Sequence, residues 1–150
     1  MKPFPHEYSV NVSGSAVGDL EVQAAGLPVL LGAAPVEFDG PGSRWSPETL
    51  LVAAVANCFV LTFRAMARSM ELPWSSVRCE VCGTVDRHEQ QPQFTEFYIH
   101  AHVILPPGRR ADLATRALEK SKEGCLIANS LKAASRLEIQ IETVTLPQTA

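Results

Sequence analysis

Four cysteines, at positions 58, 79, 82 and 125, are the side chains of this 150-residue sequence best suited to chemistry. In a reducing compartment they are thiols, so any that matter do so by reacting and not by stapling the chain. Cys79 and Cys82 form a CEVC motif. Such a CxxC works as a redox centre when it opens a helix, whose dipole lowers the first thiol's pKa. Here VRCEVCGTVDR (77–87) alternates as a strand, and residues three apart in a strand face opposite ways. Cys79 therefore reads as a core filler and Cys82 as a face or edge residue. There is no second CxxC to complete a zinc site. His100 and His102 share one strand face, but a metal centre needs three or four ligands, so they read as surface or interface histidines. Neither a metal nor a cofactor is expected.

Cys125 follows Gly124 at the start of a predicted helix, CLIANSLKAAS (125–135). Backbone N–H groups at a helix N-terminus favour a thiolate, so Cys125 is either an activated thiol or a helix-start residue with no special role. Cys58 lies in the middle of SPETLLVAAVANCFVLTFRAMA (46–67). It is either a small hydrophobe in a core or a nucleophile that the core surrounds. Glu48 precedes it by ten residues, which is about 15 Å along a helix axis. Within one straight helix the carboxylate cannot touch the sulfur. Either the helix breaks, or the Glu comes from a second chain, or Glu48 simply complements the helix dipole. Ala53, Ala54 and Ala56 would let a second backbone come close.

The elements that must position these residues follow from pattern. Tyr8, Val10 and Val12, then Leu20 and Val22, alternate on either side of Gly14 and Gly18, which predicts a hairpin. PVLLG (28–32) and PVEF (35–38) read as edge strands or irregular extended pieces. Ser46-Pro47-Glu48 is a good helix start, with Ser as N-cap and Pro in the first turn. That helix should run to about Met70, and its apolar circumference predicts burial on several sides. Val77, Cys79, Val81 and Val85 share a face of one strand. Phe97, Ile99, Ala101, Val103 and Leu105 share a face of the next, FTEFYIHAHVIL (94–105). A helix from about Arg110 to Glu123, stopped by Gly124, precedes the Cys125 helix. Leu137, Ile139 and Ile141 mark a last strand. The order predicts an α+β fold in one domain spanning 1–150.

The formal charge of −3 and the pI near 5.8 argue against a nucleic-acid partner, which needs a Lys/Arg excess. The N-terminal MKPFPHEYSV has no apolar segment of the secretion type. The apolar run Leu50–Leu61 falls short of the roughly 20 residues a bilayer crossing needs. No membrane is expected, and the expected location is the cytoplasm.

Two segments together resemble the OsmC/Ohr family of peroxide-handling proteins: FDGPGSRWSPETLLVAAVANCFVLTFRAMA (38–67) and EKSKEGCLIANSLKA (119–133). The resemblance implies an intertwined homodimer, with two antiparallel sheets wrapped around central helices and active sites at the subunit interface. It implies a thiol-dependent hydroperoxide reductase. Cys58 would be oxidised to a sulfenic acid and Cys125 would condense with it to a disulfide. A small dithiol, typically a lipoyl group in the family, would reduce that disulfide. An apolar wall would favour organic hydroperoxides. The alternative is a non-catalytic relative that binds a small hydrophobic ligand or senses oxidation. Two positions depart from the family pattern. The hairpin turn SGSAVGDL (13–20) lacks the Arg that pairs with the Glu, for which Arg44 is the candidate substitute. Leu126 stands where a Pro often follows the cysteine.

Overall fold

The structure is a computed structural model that describes residues 3–144. The chain forms two compact units that divide between Leu51 and Val52.

In the first unit, β1 (Asn11–Ser13), β2 (Leu20–Gln23) and β3 (Leu30–Gly32) form an antiparallel sheet in that order. The hairpin is as the alternation predicts, and PVLLG supplies the third strand. PVEF does not extend. Val36–Phe38 is a single 3-10 turn, ended by Asp39 in the left-handed conformation (φ 59°). Gly40 lets this turn close, because a Cβ there would overlap the Ala34 carbonyl. Tyr8, Val17, Leu27 and Trp45 are exposed, and no buried apolar side chain among the described residues precedes Val55.

Helix α1 (Pro47–Ser69) carries the chain from the first unit into the second without a break. Its start is a reciprocal cap. The Thr49 N–H donates to Ser46 Oγ (3.2 Å) and the Ser46 N–H to Thr49 Oγ1 (2.9 Å), satisfying two donors that helix geometry leaves unpaired. By length and composition α1 meets the requirement for a membrane span, contrary to the expectation from Leu50–Leu61 alone. Val55, Phe59, Phe63 and Ala67 nevertheless form one fully buried stripe at helical spacing, which marks a core helix. Burial of the two Phe side chains contributes roughly 2–3 kcal/mol each. The expected burial on several sides is not found within one chain: Leu61 on another face is 52% exposed.

The second unit holds β4 (Ser76–His88), β5 (Gln91–Leu105), α2 (Ala111–Glu123), α3 (Leu126–Asn129) and β6 (Ala134–Thr143). β4 and β5 pair antiparallel, but β6 joins β5 in parallel, so this sheet is mixed where an antiparallel one was expected. A parallel neighbour requires a long crossover, which α2 and α3 supply. The inner face of β5, Phe97 to Leu105, is buried as its alternation requires. On β4, Val77, Cys79 and Val81 are half-buried, whereas Val85 is exposed. The register between β4 and β5 shifts between Thr84 and Val85, and from there to its end β4 is exposed. The Cys125 helix is shorter than expected. It stops after one turn at Asn129, and β6 starts at Ala134.

Candidate active site

Each element around the two cysteine motifs has a local reason to be where it is. α2 buries Ala114, Ala117, Leu118 and Ser121 and exposes its charged face. Its last carbonyls are met by Gly124, whose N–H reaches Lys120 O at 2.9 Å. Gly124 stops α2 as expected, with φ −90°. A Cβ there would lie 3.3 Å from Lys120 O and 3.4 Å from Thr62 Cγ2 on α1. The chain then turns into α3. Asn129 Nδ2 donates to the Glu123 carbonyl (2.8 Å) and the Asn129 N–H to the Cys125 carbonyl (3.0 Å), pinning the turn at both ends. Leu126 begins α3 although it is not proline.

This geometry brings Cys125 and Cys58 together. Cys58 lies close enough to act on the Cys125 thiol, and the Ile127 N–H donates to Cys58 Sγ at 3.5 Å. Cys58 is half-buried, and Thr62 Oγ1 donates to its carbonyl at 2.8 Å. Cys125 is fully buried. Burial pushes its thiol above the ordinary value of 9.0, Cys58 pushes in the same direction, and the N–H groups of Ala128 and Ile127 pull it down. Of the two readings open for Cys125, burial favours the plain thiol, because one turn of helix does not offset desolvation. Cys125 is held as a thiol, while a backbone donor faces the Cys58 sulfur. All four cysteines are free.

Cys79 is a third thiol near the pair. Burial and the charge of Cys125 push it up to about 11. Cys82 faces the other way and is exposed, so CEVC is divided between two faces. In the first unit, Arg44 Nε donates to Asp19 Oδ2 (2.6 Å) and Nη1 to the Ser43 carbonyl (3.1 Å). Glu48 Oε2 is shielded from solvent and has no hydrogen-bond partner among the described residues. Sequence reasoning missed Ile127 and Asn129. The Ile127 contribution is a backbone N–H, which no side-chain pattern announces.

The family model for OsmC-like protein matches residues 40–140, which include both cysteine motifs. An uncharacterized protein, YmaD, from Bacillus subtilis is 26% identical over 111 residues, covering 72% of this chain and 73% of its own. An OsmC-like protein of unknown function from Vibrio cholerae superposes with a TM-score of 0.84 at 18% identity, covering 90% of this chain and 99% of its own. An organic hydroperoxide resistance protein from Legionella pneumophila superposes at 0.72 with 22% identity, covering 93% of this chain and 99% of its own. At these identities the structural matches establish the α+β fold.

Proposed function

Starting from a chain that belongs to the OsmC-like protein family, we propose that it is a thiol-dependent hydroperoxide reductase acting on organic hydroperoxides. The observation that carries this reading is the contact of Cys58 with Cys125, with the Ile127 N–H on the Cys58 sulfur. The Cys58 thiolate attacks the terminal peroxide oxygen. The O–O bond breaks, an alcohol leaves with a proton, and Cys58 becomes a sulfenic acid. The Cys125 thiol, kept protonated by burial, condenses with the sulfenic acid, forming the S–S bond and releasing water. A small dithiol such as a lipoyl group then exchanges with that disulfide, leaving two protein thiols and its own cyclic disulfide. Similar structures named as organic hydroperoxide resistance proteins support the substrate class. A reducing cytoplasm would return the pair to thiols between turnovers.

The unit of function in this reading is a homodimer. α1 is unbroken, so Glu48 serves the Cys58 of a second copy. The exposed apolar side chains of the first unit and of α1, Leu61 among them, are the surface such a copy would cover. Arg44 is assigned as the cation near Glu48. Its contacts to Asp19 and Ser43 use two of a guanidinium's five donors.

The second reading is a ligand-binding or oxidation-sensing relative without turnover. The observation in its favour is the engagement of Arg44 by Asp19. Thiol titration after one equivalent of cumene hydroperoxide separates the two. Rapid loss of two thiols in the wild type, but not in Cys58→Ser or Cys125→Ser, is expected of the enzyme. No loss in the wild type would remove the peroxidase reading.

A further inference from the structure

The outer face of the β4–β5–β6 sheet carries a polar cluster that the cysteine chemistry does not use. Cross-strand register sets Glu80 and Glu138 on either side of His100, and Arg78 and Gln140 on either side of His102. The two histidines are two residues apart on β5, about 6.6 Å along the strand, and share this face. Arg78, Glu80, His100, His102 and Gln140 line a pocket of about 230 Å³, room for an ion and several waters at about 30 Å³ each.

His102 holds the informative detail. Its Nε2 is shielded from solvent and has no hydrogen-bond partner among the described residues, yet it lies 3.4 Å from Glu142 Oε2. A shielded ring nitrogen held at that distance from a carboxylate can share a cation with it. A tetrahedral ion with bonds of about 2.0–2.2 Å to nitrogen and oxygen spaces those two ligands at about 3.4 Å. The contact thus has the spacing of two ligands of one ion. The surrounding charge agrees: the carboxylates of Glu80, Glu138 and Glu142 outnumber the Arg78 guanidinium, while Arg136 of the same face is paired with Glu96.

We infer that His102 and Glu142, joined by His100, form a surface site for a divalent transition-metal ion of the zinc class, with water as the fourth ligand. Imidazole and carboxylate donors suit zinc over magnesium or calcium, which take all-oxygen shells. Among the described residues no three His, Cys, Asp or Glu side chains already converge on one point. The third position is assigned to His100, two residues from His102 on the same face. The site is independent of the peroxidase reading, since none of its residues belongs to that chemistry.

The test is a Zn2+ titration of the reduced wild-type protein, followed by equilibrium dialysis and by the imidazole NMR signals. One equivalent should shift His100 and His102 and leave His6 and His88 in place. His100→Gln/His102→Gln should lose that equivalent. Glu142→Gln should weaken it about tenfold or more, the usual size for removing a metal-site partner. All these side chains lie on an outward polar face, and circular dichroism verifies that the variants fold. Unchanged Zn2+ affinity in the double variant would overturn the site. So would equal shifts at all four histidines, or Co2+ bound with thiolate-to-metal absorbance alone.

Discussion

The Ile127 N–H points at the Cys58 sulfur from 3.5 Å, although the two residues are 69 positions apart in the chain. A backbone donor aimed at a sulfur can hold charge that builds there during reaction, and hydrogen bonds to charged groups contribute about 1.5–3 kcal/mol. Ile127→Pro removes this donor at a first-turn position where proline is tolerated. Alkylation of Cys58 by iodoacetamide should slow roughly tenfold, with far-UV circular dichroism unchanged. An unchanged alkylation rate in a folded variant would show that the contact does not activate the sulfur.

Cys79 makes stability sensitive to alkaline pH. Its thiol titrates near 11 in the folded protein, against an ordinary value of 9.0. The folded state therefore holds its proton where the unfolded state has released it. The stabilisation is complete below pH 9 and is lost as pH rises from about 9 towards 11, at most about 2 kcal/mol for this half-buried group. Urea melts of the reduced protein should show this loss in the wild type and a shallower one in Cys79→Ala. The comparison rests on slopes with pH, because the cavity cost of the variant is pH-independent. Equal slopes would exclude Cys79 as the source.

The CEVC segment should never close on itself. Cys82 is exposed on the outer sheet face, and Cys79 is half-buried on the inner one. Side chains on opposite faces cannot meet without breaking the ladder. Peptide mapping after mild peroxide should find no Cys79–Cys82 disulfide. In the folded, reduced protein, Cys82 should react with a bulky maleimide well before Cys79.

How much of this was legible depends on how far each feature reaches along the chain. The β5 alternation from Phe97 to Leu105 and the Ser46–Thr49 cap are local, and the sequence shows both. The parallel docking of β6, the register shift at Thr84/Val85 and the 3-10 turn at Val36 depend on partners that no single segment specifies. The site divides the same way. Residue type leaves Cys58 and Cys125 level with Cys79 and Cys82, and only the resemblance of the two motifs singles the pair out. The raised Cys125 thiol comes from burial by distant elements, and the Ile127 donor has no side-chain signature.

Arg44 separates a structural from a chemical role. Its ion pair with Asp19 has both side chains about a third exposed, so losing it should cost under about 1 kcal/mol. Asp19→Asn and Arg44→Ala should therefore melt within a few degrees of the wild type. If Arg44 is the cation of the peroxide site, cumene hydroperoxide turnover should fall about tenfold, roughly one charge-assisted contact, in Arg44→Ala and persist in Asp19→Asn. Equal turnover in both variants would leave the guanidinium with the Asp19 pair alone.

Leu61 tests the assembly. It sits mid-way along α1, 52% exposed, on a helix whose buried stripe runs through Val55, Phe59, Phe63 and Ala67. An apolar side chain on a second face of a core helix is stable in water only at a cost, and covering it would return roughly 2 kcal/mol per copy. Exposed apolar side chains in the first unit, such as Val17 and Leu27, add to the surface that a second copy would remove from water. Light scattering on the wild type should give twice the chain mass of 16.3 kDa. Leu61→Glu would place a carboxylate in that contact, where desolvation without a partner costs several kcal/mol, and should shift the mass towards one chain. Peroxide turnover should fall with it, because Glu48 would no longer reach the sulfur of another copy. A monomeric wild type with full turnover would sink both the dimer and the shared site.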